Sequence, residues 1–355
     1  MLYSIPVYNG QKGTQLKLGL LMSCMTPLLS GGLAVICLVV CSWFSLCLEE
    51  KHRFAEPGLL LHGASMAAEA TANPSSHHFQ RISEDAGQIS AEYGFVNING
   101  DALSIKFSTS AQELAAYKRE YGYTKADLAA LKEWQQKAYQ EVYQKAESQG
   151  LSQSKCDEMI KALNVDYNAR YRELFLSRGF TFTDDGKIMV DVPSIARRNV
   201  KNLRPVAMSF AEIAKDKGYD PETLVSAIVS LVQTSIQYES VPLEIEGRKS
   251  GGLYPPMEAM AKGRGDCDTK TALLASILLS WDKVRTIGVA IPQHYLMGIL
   301  HSPAKGDAFI EYKGLTYVLV EATGPAWLPA GSVGPLTTSV LTQGLDLRIQ
   351  PMSAN

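Results

Sequence analysis

The sequence predicts an α+β protein held to a membrane by one N-terminal helix, and three patterns carry that expectation. Between residues 110 and 237, apolar side chains recur three or four apart, the spacing of one helix face. Between 284 and 321, short apolar runs follow one another with no helical stretch between them, which predicts successive β-strands. From Leu18 to Leu48 there is no charged residue at all.

The uncharged run comes first in the chain, and its richest part is Leu28–Leu48. Roughly 20 apolar residues cross a hydrocarbon core as a helix. Pro27, Ser30, Gly31 and Gly32 disfavour one straight helix over the whole run. The transmembrane helix is therefore placed at residues 31–48, after an N-terminal segment of residues 1–30, with Trp43 and Phe44 suited to an interfacial belt. The run is longer than a signal-peptide core, and the small-x-small site Ala68-Glu69-Ala70 lies well beyond it. A retained single-pass anchor is the better reading. Lys12 and Lys17 before the span balance Lys51 and Arg53 after it, so flanking charge does not orient it. One anchor followed by one large domain is a common exported arrangement, which places the soluble domain outside the cytoplasm.

Residues 49–92 mix Gly, Pro, Ser and charge without a sustained period and read as a linker. Residues 93–220 read as a mainly helical flanking region with short hairpins. The first hairpin spans Phe95–Phe107 and turns on Asn99-Gly100. Ser110-Ala-Gln-Glu113 and Thr124-Lys-Ala-Asp127 then have the form of helix-opening caps. Leu128, Leu131, Trp134, Ala138, Val142 and Ala146 make one stripe that ends at Gly150. A further helix runs from about Ser154 to Arg178, and Tyr139, Tyr143, Tyr167 and Tyr171 suit a helix–helix seam. A second hairpin, Phe180–Val192, turns on Asp184-Asp185-Gly186. The last domain, residues 221–345, opens with a helix from Pro221 to about Gln237 after the cap Asp220. A Gly/Pro-rich loop over Val241–Arg264 leads to a helix at Cys267–Trp281. The strands follow at about Val284–Ile291, Tyr295–Leu300 with Phe309–Tyr312, and Leu315–Glu321.

A formal net charge of −2 leaves no basic surface for nucleic acid, so none is expected as a partner. Four of the six cysteines lie in or beside the apolar run. Cys156 and Cys267 alone remain for the rest, too few for a disulfide framework, and no Cys/His spacing forms a metal site.

The chemistry concentrates in Gly263-Arg-Gly-Asp-Cys-Asp-Thr-Lys-Thr-Ala-Leu-Leu274. A cysteine where a Gly-rich loop enters a helix meets unpaired N–H groups and the positive dipole end, which favour thiolate. Asp266 and Asp268 push the other way, so a nearby imidazole is needed as well. His294 stands in otherwise apolar strand sequence. Glu321 ends the strand Tyr317-Val-Leu-Val320, where a carboxylate is costly without a partner. Singly, each residue also has a structural reading: a packed helix-start thiol, a satisfied core histidine, a paired strand-end acid.

Together they resemble a family. Pro256-Met-Glu-Ala-Met-Ala-Lys-Gly-Arg-Gly-Asp-Cys-Asp-Thr-Lys270 looks like the Cys box of the transglutaminase-like superfamily, in particular its bacterial cysteine peptidases. His294-Tyr-Leu-Met-Gly298 and Tyr317–Pro325 look like the His and acid boxes, and the resemblance covers about residues 221–331. Glu321 stands where that family commonly has Asp. The resemblance implies a permuted papain-like core, with a Cys-bearing helix on an antiparallel sheet. It implies Cys267 as nucleophile, His294 as base and Glu321 as the acid that orients it. Members act on peptide or amide carbonyls through a thioester, and some use calcium. No Asp-rich loop of the 12-residue kind supports calcium here, so no metal or cofactor is expected. Gln233 and Tyr254 are not assigned as oxyanion donors.

The expectation is thus a membrane-anchored cysteine peptidase or amidase acting on a protein or peptide through a thioester. The alternative is a catalytically inactive binding module that keeps the scaffold for protein–protein contact.

Overall fold

An antiparallel sheet opens the computed structural model, which describes residues 78–324, 327–343 and 347–353. Phe79–Asp85 (β1), Gln88–Val96 (β2) and Ala102–Ser110 (β3) form an antiparallel sheet in that order. Along β3, Leu103, Ile105, Phe107 and Thr109 are buried while the residues between them are exposed. The expected turn at Asn99-Gly100 is present, with the Asn97 side chain accepting from the N–H groups of Asn99 and Asp101.

The N-terminal segment, the transmembrane span and most of the expected linker lie outside the described residues. Among the described residues, no helix is long and apolar enough to cross a membrane. The end of the linker is different from its reading, since residues 79–85 and 88–92 are strand. The segment Arg81–Asp85 is exposed, so it carries no apolar signal and pairing with β2 alone makes it a strand.

Ser110 caps helix α1, Ala111–Lys118, by accepting from the Glu113 N–H. After the short strand Tyr123–Thr124 (β4), Thr124 and Asp127 form the full capping box of α2, Lys125–Ser148. Helix α3, Gln153–Ser177, folds back on it: Tyr139 donates to Asn164 Oδ1 at 2.6 Å and Arg170 stacks over Trp134. Of the four seam tyrosines, Tyr139, Tyr167 and Tyr171 are half-buried, whereas Tyr143 is exposed. No residue of α2 is fully buried, so this helical hairpin is largely solvated.

The expected second hairpin is Phe180–Phe182 (β5) with Ile188–Val190 (β6). Helix α4, Val192–Lys217, has no counterpart in the sequence reading, because Pro193 and Pro205 break its pattern. Pro193 falls in the first turn, where no N–H is needed, and ten buried residues hold the helix in the core despite Pro205. Helix α5, Pro221–Ser230, starts on its Asp220 cap as expected. It runs on as a π-helical turn over Leu231–Ser235, ending two residues short of the expected Gln237.

Short strands follow at Gln237–Tyr238 (β7), Glu244–Ile245 (β8) and Arg248–Lys249 (β9). Within the stretch read as loop lies helix α6, Pro256–Lys262, then Arg264–Gly265 (β10) pairs in parallel with β7. Helix α7, Cys267–Leu278, is buried from Thr269 to its end. The main sheet contains Thr286–Ile291 (β11), His294–Leu300 (β12), Phe309–Tyr312 (β13) and Leu315–Val320 (β14). Helix α8, Pro335–Gln343, precedes Arg348–Pro351 (β15), which completes the sheet from beyond the expected domain end at residue 345. The strand order is β13-β14-β12-β11-β15, every pair antiparallel. One apolar cluster joins α4 and α7 to Tyr295, Met297 and Val320; the other gathers Leu296, Leu319 and Val340 on the opposite face.

Candidate active site

Asp266 fixes where α7 begins. Its carboxylate accepts from the Thr269 N–H at 3.0 Å, so Cys267 is the first helical residue. Cys267 is half-buried, and its thiol lies 3.7 Å from Asp268 Oδ1. The Tyr295 backbone N–H also donates to the sulfur. Thr271, one turn on, donates to the Tyr295 carbonyl at 3.3 Å. Both polar groups of Tyr295 are therefore spent on α7, because β14 pairs with β12 only from Met297 onward. The helix start occupies the open edge of β12, beside the residue that follows His294.

His294 opens β12 directly after a two-residue turn, Pro292-Gln293, in which Gln293 takes a positive φ of 62°. Proline before a left-handed residue is the type II pattern, and it lets Ile291 pair with His294. His294 Nε2 hydrogen-bonds Glu321 Oε1. Glu321 is buried and accepts further bonds: from Thr323 Oγ1 at 3.0 Å, Thr337 Oγ1 at 3.2 Å and the Gly334 N–H at 3.4 Å. Burial alone would raise its pKa. The His294 bond and charge, with Thr323 and Gly334, outweigh burial and hold the carboxyl below its ordinary range.

The structure thus joins His294 to Glu321 and sets Cys267 one residue away at the strand edge. Cys267 and His294 make no direct hydrogen bond. Alternation explains this: Tyr295 and Met297 belong to the cluster that α7 covers, while His294 shares its side of β12 with Leu296. His294 is the first residue of that strand. It is near enough for its charge to stabilise the Asp268 carboxylate.

Asp266 and Asp268 oppose the helix start, as their positions in the sequence predict. Burial pushes the Cys267 thiol well up, and Asp268 and Asp266 add to the shift, against the bonds from Tyr295 and Asp268 backbone N–H groups. Burial and the neighbouring Asp268 push Asp266 itself up to about 7. The helix dipole contributes roughly half a charge at one end, less than two nearby carboxylates in a desolvated site.

Two further residues tie the site together. Gln233, in the π-turn, donates through Nε2 to the Glu321 carbonyl at 2.6 Å and the Leu328 carbonyl at 3.0 Å, and accepts from the Leu328 N–H at 2.9 Å. Its amide is fully engaged with backbone, so it braces the acid loop and is not an oxyanion donor. Gly324 passes so close that a side chain there would meet the Gln233 carbonyl. Lys270 is wholly buried on the first turn of α7, donating to the carbonyls of Ile236 at 2.7 Å and Gln233 at 3.3 Å. Burial lowers its pKa to about 7. A lysine inside the apolar α7 run was the one signal of this link in the sequence.

Comparison with known proteins finds no matching family model, no similar curated protein and no similar solved structure.

Proposed function

We propose that this chain is a membrane-anchored cysteine peptidase or amidase of transglutaminase-like type, acting on a protein or peptide amide through a thioester. The observation that carries the reading is the His294–Glu321 pair, its carboxylate buried, beside a cysteine at a helix start. With Nε2 held by Glu321, Nδ1 is the ring nitrogen left to serve the thiol. The resting thiol is protonated, so His294 takes its proton as sulfur attacks the amide carbon. The C–N bond then breaks, and the imidazolium returns the proton to the departing amine. Water or a second amine, deprotonated by His294, releases the acyl group. Glu321 keeps the imidazole in register and stabilises its charged form.

The test uses full-length protein and a panel of peptide and side-chain amides, reading amine release. Cys267→Ala should abolish turnover and Glu321→Gln should lower it by about 10–10³. A fully active Cys267→Ala protein would end the proposal. The second reading, an inactive binding module, draws on the raised thiol pKa and the missing Cys267–His294 bond. Alkylation separates the two. A catalytic Cys267 reacts with iodoacetamide far faster than the buried Cys156, whereas equal inertness favours the binding module.

The anchor and the extracytoplasmic placement are part of the proposal. Full-length protein should sediment with membranes and a chain starting at Glu50 should not; recovery of the intact chain in a detergent-free supernatant rejects the anchor. Alkaline phosphatase fused after Asn355 should be active, and an inactive fusion reverses the orientation.

A further inference from the structure

The β7–β10 ladder is only two residues long, yet it fixes a side chain beside the thiol. Gln237 N–H donates to the Gly263 carbonyl at 2.8 Å and Glu239 N–H to the Gly265 carbonyl at 3.1 Å. Tyr238 is thereby locked opposite Gly265, two residues before Cys267. Paired residues of a ladder direct their side chains to the same face. A side chain on Gly265 would run into Thr269, in the first turn of α7. Tyr238 consequently projects on the helix-start side of the ladder, and its phenol lies within the field of Cys267, Asp266 and Asp268.

Tyr238 is nevertheless 56% exposed, whereas Tyr93, Tyr117, Tyr121, Tyr254, Tyr295 and Tyr317 are buried. An aromatic whose backbone is fixed but whose ring is left uncovered beside a nucleophile is suited to contact a ligand, because it offers a large apolar face with few torsions to order. The neighbouring carboxylates of Asp266 and Asp268 disfavour an acidic ligand group.

We infer that Tyr238 is a specificity-determining residue that forms one wall of an acyl-binding subsite, taking an apolar or aromatic side chain next to the reacting amide. The inference rests on Cys267 being the nucleophile proposed above. The experiment compares second-order alkylation rates of Cys267 by iodoacetamide and by N-benzyl-iodoacetamide, on the full-length chain, with peptide mapping to assign the modified cysteine. Tyr238→Ala should lower the benzyl-to-unsubstituted rate ratio about fivefold and leave the iodoacetamide rate within about twofold. Tyr238→Phe should keep the wild-type ratio. An unchanged ratio in Tyr238→Ala, with Cys267 still reactive, overturns this inference alone. A Cys267 inert to both reagents in the wild type overturns the catalytic reading and this inference with it.

Discussion

At Cys267 three local influences compete: the helix N-terminus favours thiolate, while burial and two flanking carboxylates favour thiol. The carboxylates and burial win. The largest removable electrostatic share is that of Asp268, whose oxygen is 3.7 Å from the sulfur. Asp268→Asn should therefore lower the thiol pKa and speed iodoacetamide attack at pH 7 by roughly three- to tenfold, for up to about one pKa unit. Iodoacetamide rates of wild type and variant compared at pH 7 test this, and an unchanged or lower rate would show that burial alone sets the thiol pKa. Glu321 illustrates the opposite outcome. Burial is again the largest single influence, but the bonds from His294 and Thr323 overcome it.

At the scale of elements, the site depends on how the π-turn, α7 and the acid strand are joined. Lys270 reaches from α7 to the end of the π-turn, and Gln233 reaches from the π-turn to the loop after β14. The lysine carries a pH signature. Its folded pKa lies near 7, below the ordinary 10.5 of the unfolded chain. Below about pH 7 both states hold the proton, and the folded state bears the cost of burying the charge. Between about 7 and 10 the unfolded state binds more protons, so the Lys270 contribution to stability rises with pH. Lys270→Met should be less stable at all pH values for want of the two carbonyl bonds. It should also lack this rise, so the gap in melting temperature between wild type and variant widens from pH 7 to 9.5. A constant gap would place the Lys270 pKa outside that window.

Across the whole described molecule, the strongest buried charge outside the site is Glu258, on α6. Its side chain is fully buried and has Lys262 at 3.6 Å, Arg248 at 3.7 Å and Lys118 at 3.9 Å. These cations come from α6, β9 and α1, so one carboxylate joins three distant stretches of chain. Burial raises its pKa, opposed by all three cations. Removing one member of a buried ion network leaves the others uncompensated, at a cost of about 3–5 kcal/mol. Glu258→Ala should lose about 3 kcal/mol in urea unfolding, reduced from the upper end because the cations are partly exposed. A loss below about 1 kcal/mol would mean that solvent screens the cluster.

By itself the sequence determined the elements whose cause is local. The caps at Ser110, Thr124 and Asp220, the Asn99-Gly100 and Asp184–Gly186 turns, and the apolar strands from β11 to β14 follow from side-chain shape, short hydrogen bonds and runs of apolar residues. Cys267, His294 and Glu321 stand out as polar residues at the ends of apolar elements, and the resemblance of their three boxes is what grouped them as a candidate site. Tertiary structure alone decided the rest. Helix α4 forms against its prolines because ten of its residues are buried. The polar strand β1 forms because β2 offers it partners, and β15 joins the sheet from beyond the expected boundary. The thiol pKa, the engagement of Gln233 and the position of Tyr238 depend on groups far apart in the chain. Periodicity reports which face of an element is apolar, but desolvation and charge at a site depend on what packs there, and no local pattern records that.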